Sequence, residues 1–146
     1  MNFFGLIGEK LGHSISPEIH QLIFKYYGIE GSYRLYPLPK DELKFFMENC
    51  NLKGFNVTIP YKIDIMQYLN HISAEAKAIG AVNTVSIENG DAKGYNTDYN
   101  GIDTTFKKHN VSIEDSSAIV LGSGGASAAV IQYLEDRHCK DITIVV

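Results

Sequence analysis

A polar strand face followed by a lysine is the first feature of this sequence that could support chemistry. Residues 53–59 alternate between apolar and polar side chains, which predicts a strand with Asn56 and Thr58 on one face. The opposite face of this strand carries the apolar residues Phe55, Val57 and Ile59. Pro60 ends the strand and Lys62 follows, so its ammonium would point into the space above the polar face. A single lysine is more typical of a solvated surface, but the polar strand face beside it indicates a binding site.

Two serines lie just before a helix start, in the segment His13-Ser14-Ile15-Ser16-Pro17. Pro17 is typical of the first position of a helix, and Ser16 before it is typical of an N-cap. The hydroxyls of Ser14 and Ser16, together with the positive end of the helix dipole, suit a carboxylate. The simpler interpretation makes Ser16 a cap and Ser14 a loop residue, and the two roles can coexist.

A predicted hairpin carries two more candidates, Asn83 and Asp98. Asn89-Gly90 is typical of a two-residue turn between antiparallel strands. The two strands are expected at residues 82–88 and 91–96. Asn83 opens the first strand, and Asp98 lies just after the second. The simplest role for Asp98 is the N-cap of a helix over about residues 99–109.

A glycine-rich turn, Gly122-Ser123-Gly124-Gly125-Ala126-Ser127, has the context of a dinucleotide-binding fingerprint. It follows an apolar strand (117–121) and opens a helix (128–137), so its backbone N–H groups would face a pyrophosphate. Ser127 stands where the fingerprint has Gly or Ala, and an ordinary βα turn is the simpler alternative. The residue that selects between NAD and NADP is expected after the next strand, beyond Val146.

The whole pattern predicts an α/β fold in two parts. Residues 1–103 are expected to form an open, mixed, twisted sheet with flanking helices. Its further strands and helices are predicted at residues 3–8, 16–27, 32–38, 43–50, 63–69 and 73–80. Residues 104–146 are interpreted as a linker helix and the truncated start of a Rossmann-type βαβ unit with parallel strands. The second strand of this unit is predicted at residues 142–146 and is wholly apolar. Because such a strand expects neighbours on both sides, we interpret the unit as part of a larger domain.

Composition excludes several classes of function. Of the 146 residues, 45% are hydrophobic and 21% charged, a profile typical of a soluble globular protein. The formal net charge of −4 offers no basic stripe, so neither a nucleic acid nor a membrane is expected as a partner. No signal or transmembrane segment is visible, and Cys50 and Cys139 have no metal-type spacing. We therefore expect a cytoplasmic protein without a metal site.

Taken in order, these segments resemble shikimate dehydrogenase. The resemblance covers essentially the whole chain, but only about the first half of such an enzyme. The motifs that carry it are Gly8, His13-Ser14-Ile15-Ser16-Pro17 with His20, Gly54-Phe55-Asn56-Val57-Thr58-Ile59-Pro60-Tyr61-Lys62, Ile79-Gly80-Ala81-Val82-Asn83-Thr84, Gly94-Tyr95-Asn96-Thr97-Asp98 and the glycine turn. Five motifs in the same order are far more specific than one of them alone.

The resemblance implies a reversible, NADPH-dependent reduction of 3-dehydroshikimate to shikimate, in the pathway to chorismate and the aromatic amino acids. It implies Lys62 and Asp98 as the catalytic pair, an acid/base lysine with an orienting carboxylate. It implies Ser14 and Ser16 as ligands of the substrate carboxylate. The remaining substrate-binding residues that it implies are Asn56, Thr58, Lys62, Asn83 and Asp98. Residues 122–127 would bind NADP.

Two alternatives to this interpretation of the function stay open. One is a quinate/shikimate dehydrogenase that uses NAD as well as NADP. The other is a non-catalytic shikimate-binding module, in which Lys62 and Asp98 are vestigial. We expect the 146 residues alone to lack dehydrogenase activity, because they do not contain a complete binding site for the hydride donor. The oligomeric state is open, with a homodimer as one option.

Overall fold

The computed structural model describes all residues from 1 to 146. The strands are β1 (Asn2–Gly8), β2 (Gly31–Pro37), β3 (Gly54–Val57), β4 (His71–Ile72), β5 (Thr84–Glu88), β6 (Asp91–Tyr95), β7 (Ser117–Leu121) and β8 (Asp141–Val145). The α-helices are α1 (Ser16–Tyr27), α2 (Leu43–Asn49), α3 (Ala74–Ile79), α4 (Thr97–Lys108) and α5 (Gly125–Asp136). Two short 3-10 helices span Lys40–Glu42 and Asp64–Tyr68. None of the helices combines the length and apolar character needed to cross a bilayer.

Six strands form one mixed sheet, which confirms the predicted α/β architecture. The strand order is β2-β1-β3-β5-β6-β4. Strands β1, β2 and β3 are parallel to one another, and β4 is parallel to β6. Only β5 runs in the opposite direction, antiparallel to β3 and to β6. The carboxyl ends of β1, β3 and β6 and the beginning of β5 therefore meet at one end of the sheet, which we call the polar end.

The main core lies on the side of this sheet that α2 and the Asp64–Tyr68 helix cover. Ile7 and Val57 point into it from the strands, and Ile65 meets them from the helical layer, each nearly or fully buried. Burying one such aliphatic side chain contributes about 1.5–3 kcal/mol. Tyr61 is only 1% exposed, and its hydroxyl donates a hydrogen bond to the Leu38 carbonyl. The chain just before Lys62 is therefore anchored in the core.

The second part of the chain is a parallel βαβ unit made of β7, α5 and β8, as predicted. Helix α5 packs against α3 and α4 of the first part. Ile79, Ala81 and Ala129 are buried together at this contact, with Tyr99 and Ile102 packed around them. Ala129 brings the small side chain of α5 to this contact, and the glycine turn just before α5 lies near the polar end of the sheet.

Several local predictions are confirmed. Asn89 and Gly90 both have positive φ, 53° and 82°, as a tight two-residue hairpin turn requires. Ser73 caps α3 by accepting a hydrogen bond from the backbone N–H of Ala76. Gly28 ends α1 in the left-handed conformation.

Other local predictions are wrong. Strand β3 ends at Val57, because the Thr58 carbonyl closes a turn with the Tyr61 N–H at 3.0 Å. Ile59 consequently leaves the sheet and is 74% exposed rather than part of an apolar strand face. Helix α5 begins at Gly125 rather than Ala128, so the last part of the predicted glycine turn is helical.

The two predicted helix caps at the site are also wrong. Ser16 is already the first residue of α1, whose N-cap is Ile15 without a side-chain hydrogen bond. Asp98 does not cap α4. The Asn96 side chain does so instead, because its Oδ1 accepts the Asp98 N–H at 3.1 Å. The side chains of Ser16 and Asp98 are therefore available for other contacts.

Candidate active site

An ion pair lies at the polar end of the sheet. The Lys62 ammonium donates a hydrogen bond to Oδ2 of Asp98 at 2.8 Å. The two side chains are 17% and 34% exposed, so the pair is half-buried and accessible from one side. Such a pair joins a proton donor with a carboxylate that orients it, which is the requirement for general acid/base chemistry.

Both members of the pair are held by their backbones. The Lys62 carbonyl accepts a hydrogen bond from the Val82 N–H at 2.8 Å. Asp98 lies in the first turn of α4, just after the Asn96 cap. Asn96 is 3% exposed, and its Nδ2 donates to the Ala81 carbonyl at 3.0 Å. The cap therefore ties the start of α4 to the chain between α3 and β5.

Asn83 lies beside this pair with a saturated acceptor and a free donor. Its Oδ1 accepts hydrogen bonds from the Thr97 N–H and from the hydroxyls of Thr84 and Thr97, at 2.9, 2.9 and 3.1 Å. Its Nδ2 makes no hydrogen bond, although the residue is only 8% exposed. Because the oxygen is fixed, the amide donates in one defined direction, which suits a ligand hydroxyl.

Asn56 and Thr58 stand at the end of β3, as the sequence indicates. Nδ2 of Asn56 donates to the Thr84 hydroxyl at 3.2 Å. The Thr58 hydroxyl has no hydrogen-bond partner in the chain. Gly8 makes room for this threonine, since a Cβ at Gly8 would lie 2.6 Å from Cγ2 of Thr58. The Thr58 hydroxyl is thus available to a ligand.

Tyr33 belongs to this site, although the sequence analysis assigned it no role. Its hydroxyl donates to Oδ1 of Asn56 at 2.8 Å, and its ring stacks on His20 with the centroids 3.8 Å apart. Burial raises the pKa of Tyr33 to about 12, against the opposing effect of the Ser16 side chain. The hydroxyl therefore stays protonated and remains a donor. The alternation of residue types in β2, a short edge strand, could have assigned Tyr33 to one face of the sheet. It could not have shown that Tyr33 contacts Asn56.

The two serines form a small polar cluster at the start of α1. The Ser14 hydroxyl donates to the Ser16 hydroxyl at 3.0 Å, and the Ser16 N–H donates to Ser14 Oγ at 3.3 Å. The Ser16 N–H is thus used by Ser14, and Pro17 has no N–H, so it is the positive end of the helix dipole that adds to the two hydroxyls. This arrangement can bind a carboxylate.

Contacts link the serine pair to the ion pair. Tyr33 lies between Ser16 and Asn56, and the next contacts run through Thr84, Asn83 and Thr97 to Asp98 and Lys62. All the sequence-predicted substrate residues therefore lie at one end of one sheet.

The glycine turn reaches the same end of the molecule. Gly122 has φ of 101°, and a Cβ at Gly124 would meet no atom within 4 Å. Helix α5 begins at Gly125 with no side-chain cap, so its first N–H groups are free. An open backbone surface beside free amides fits a pyrophosphate. Gly125 also lies against Lys62, which places the turn next to the ion pair.

Fold and site together define an α/β protein with a polar sheet end beside a Rossmann-type turn. Residues 6–85 match the family described as the shikimate dehydrogenase substrate binding domain. The chain is 52% identical to the shikimate dehydrogenase (NADP(+)) of Clostridium beijerinckii over 99% of its own length and 55% of that protein. The chain belongs to the shikimate dehydrogenase family.

Solved structures agree with this assignment. A crystal structure of shikimate dehydrogenase 1 from Peptoclostridium difficile superposes with a TM-score of 0.94 at 44% identity, covering 99% of this chain and 54% of that one. The Thermus thermophilus shikimate 5-dehydrogenase in complex with NADP(H) and shikimate gives a TM-score of 0.87 at 33% identity, covering 99% of this chain and 55% of that one. The chain therefore spans about half the length of the relatives it matches.

Proposed function

We propose that the protein catalyses the reversible reduction of 3-dehydroshikimate to shikimate with NADPH, a step toward chorismate and the aromatic amino acids. The observation that carries the proposal is the 2.8 Å contact between Lys62 and Asp98 at the polar end of the sheet. Relatives that share half of this sequence are named shikimate dehydrogenase (NADP(+)), which supports this substrate and this coenzyme.

The proposed chemistry uses Lys62 as the acid/base group. NADPH, when bound, supplies the hydride that reduces the substrate ketone. Negative charge then develops on the ketone oxygen, and the Lys62 ammonium stabilises this oxygen and donates a proton to it. Asp98 orients the ammonium through its 2.8 Å hydrogen bond and keeps it aimed at the reacting oxygen. In the reverse direction the neutral amine of Lys62 takes the proton back.

The proposed substrate contacts divide the polar end by chemistry. Ser14 and Ser16 bind the carboxylate, with the N-terminus of α1 behind them. The ring hydroxyls are held by Asn56, Thr58, Asn83 and Asp98. This division is the one that the family resemblance implies, and for two of its members it is supported by free groups, since the Asn83 Nδ2 and the Thr58 hydroxyl have no partner within the chain.

The coenzyme and the organisation of the chain complete the proposal. Residues 122–127 hold the NADP pyrophosphate through the free amides at the start of α5. Residues 1–103 form the substrate domain, and residues 104–146 contain the linker and the start of the coenzyme domain. We place the protein in the cytoplasm, with a small molecule rather than a nucleic acid or a membrane as its partner.

An NMR titration of the 146-residue chain with shikimate, and with quinate for comparison, tests the proposed site. We expect saturable shifts at Ser14, Ser16, Asn56, Lys62, Asn83 and Asp98. A preference for shikimate separates the proposed enzyme from a quinate-using relative, because the two ligands differ in ring substitution and share the carboxylate. A folded chain whose resonances at these positions do not respond to millimolar shikimate contradicts the assigned contacts.

A further inference from the structure

The three glycines of the turn have different structural roles. Gly122 adopts φ of 101°, which residues with a side chain rarely adopt. A Cβ at Gly124 would enter open space, so this glycine leaves room for an approaching ligand. The fingerprint G-x-G-x-x-G places its glycines at positions 122, 124 and 127 of this chain. The fingerprint does not require a glycine at position 125, so the presence of Gly125 needs another explanation.

The space beside Gly125 is occupied by the catalytic lysine. A Cβ at Gly125 would lie 3.2 Å from Cδ and 3.9 Å from Cβ of Lys62. Two carbon atoms attract each other best at about 3.5–4.0 Å, so the shorter distance is compressed. A methyl group at position 125 would therefore displace the lysine stem or push α5 away from it.

Lys62 has little freedom to yield. Its carbonyl is fixed by the Val82 N–H at 2.8 Å, and its ammonium is fixed by Asp98 at 2.8 Å. The side chain between these two ends is only 17% exposed. A shift of a few tenths of an ångström in the stem is therefore passed on to the ammonium.

We propose that Gly125 is a positioning residue for Lys62: its missing side chain forms the channel through which the lysine stem reaches Asp98. The first residue of the coenzyme-side helix thereby sets the aim of the acid/base group. This inference rests on the proposed dehydrogenase function and adds a residue that acts through Lys62.

Steady-state kinetics of Gly125→Ala in the complete protein test the inference. We expect kcat to fall roughly ten-fold, a part of the about 100-fold that a 1 Å misplacement costs. The KM values for shikimate and NADP should stay within about two-fold, because the added methyl group faces Lys62 and the backbone amide of residue 125 is retained. The solvent deuterium isotope effect on kcat should rise, because proton transfer by the displaced lysine becomes slower. Unchanged kcat and isotope effect in a folded Gly125→Ala protein overturn the inference.

Two other glycines provide controls for the added methyl group. Gly101→Ala adds one in open space on α4, and all kinetic constants should stay within about two-fold of the unmodified protein. Gly124→Ala adds one where the pyrophosphate is proposed to lie, so it should raise the KM for NADP. A variant at position 125 that behaves like Gly124→Ala, with the loss in KM alone, overturns the positioning role.

The experiment separates this inference from the proposed function. If Lys62→Met retains turnover, the dehydrogenase mechanism is wrong; if Lys62→Met is inactive and Gly125→Ala has normal kinetics, only the positioning role is wrong. Should Gly125→Ala fail to fold, the unmodified protein gives a second readout. A nuclear Overhauser effect between the Gly125 α-protons and the Lys62 δ-protons supports the contact, and its absence from otherwise assigned spectra overturns it.

Discussion

At the scale of single residues, the polar end of the sheet shows which groups are already committed to the protein. The Asn83 side-chain oxygen accepts three hydrogen bonds, whereas its amide nitrogen and the Thr58 hydroxyl make none. Lys62 has one anionic partner and faces a partly open space. The free groups, rather than the satisfied ones, indicate where the ligand binds.

Replacement of Lys62 by methionine is expected to abolish most of the turnover and to change the stability of the protein little. Lys62→Met keeps the length of the stem but removes the proton, so kcat should fall about 10²–10⁴-fold. Steady-state assays of the complete protein measure this, and circular dichroism confirms the fold. Lys44→Met, at a lysine whose side chain is 69% exposed on α2, is the matched control and should have normal turnover. A Lys62→Met protein with normal kcat would falsify the acid/base role.

The sequence allowed part of this site to be predicted. Asn56, Thr58 and the two serines stand out because each breaks an apolar pattern or precedes a helix. Tyr33 could not be found in this way, because its role depends on strand β2 lying two places from β3 and on the ring of His20. The local pattern at Asp98 indicated only a helix cap, a role that Asn96 fills two residues earlier, and it was the family resemblance that implied the pairing with Lys62.

At the scale of elements, local signals were reliable where no tertiary contact competes with them. The Asn89-Gly90 turn and the Ser73 cap depend on neighbouring backbone alone, and both are confirmed. The predicted end of β3 was wrong because the turn from Thr58 to Tyr61 removes Ile59 from the sheet. Alternation of residue types therefore continued past Val57, the residue at which the regular strand ends.

Helix α4 contains a glycine whose replacement should stabilise the protein. Gly101 is exposed in the helix, has no positive φ, and a Cβ there would meet no atom within 4 Å. Gly101→Ala should therefore raise the free energy of unfolding by about 0.5–1 kcal/mol, because alanine has less backbone entropy to lose. Urea denaturation followed by circular dichroism measures the change.

Gly80 is the matched control for this prediction. It ends α3 with φ of 71°, so Gly80→Ala places a side chain in the left-handed region and should lower the free energy of unfolding. Opposite signs for the two alanine variants support the argument from backbone conformation. A lower urea midpoint for Gly101→Ala would contradict it.

At the scale of the whole molecule, the glycine turn is useful only if α5 keeps its place beside the sheet. The buried contact at this junction is small, since Ile79, Ala81 and Ala129 form a cluster of 3 buried residues. Polar contacts add to it at the surface. The Asp103 carboxylate on α4 accepts hydrogen bonds from Arg137 at 2.6 Å and from the Tyr133 hydroxyl at 3.2 Å. Asp103 therefore joins the two parts of the chain.

Asp103 makes its ion pairs with Lys107 on α4 and with Arg137 across the junction sensitive to acid. The hydrogen bond from Lys107 is the main cause that lowers the pKa of Asp103 from its ordinary value of 3.8, and the charge of Arg137 acts in the same direction. A carboxyl group whose pKa is lower in the folded state stabilises that state above its unfolded pKa. The contribution is thus complete above about pH 4–5 and is lost as the pH falls through the folded value, below 3.8.

Asp103→Asn should reproduce this loss at neutral pH. The variant keeps the shape of the side chain but removes the charge that attracts Arg137 and Lys107, so the contact between α4 and α5 weakens. Hydrogen–deuterium exchange at pH 7 should become faster in α5, β7 and β8 and stay unchanged in β1 and β3. Glu48→Gln, which breaks an exposed ion pair with Lys44 on α2, should leave α5 exchange unaltered. If Asp103→Asn left α5 as protected as in the unmodified chain, the buried cluster alone would hold the junction.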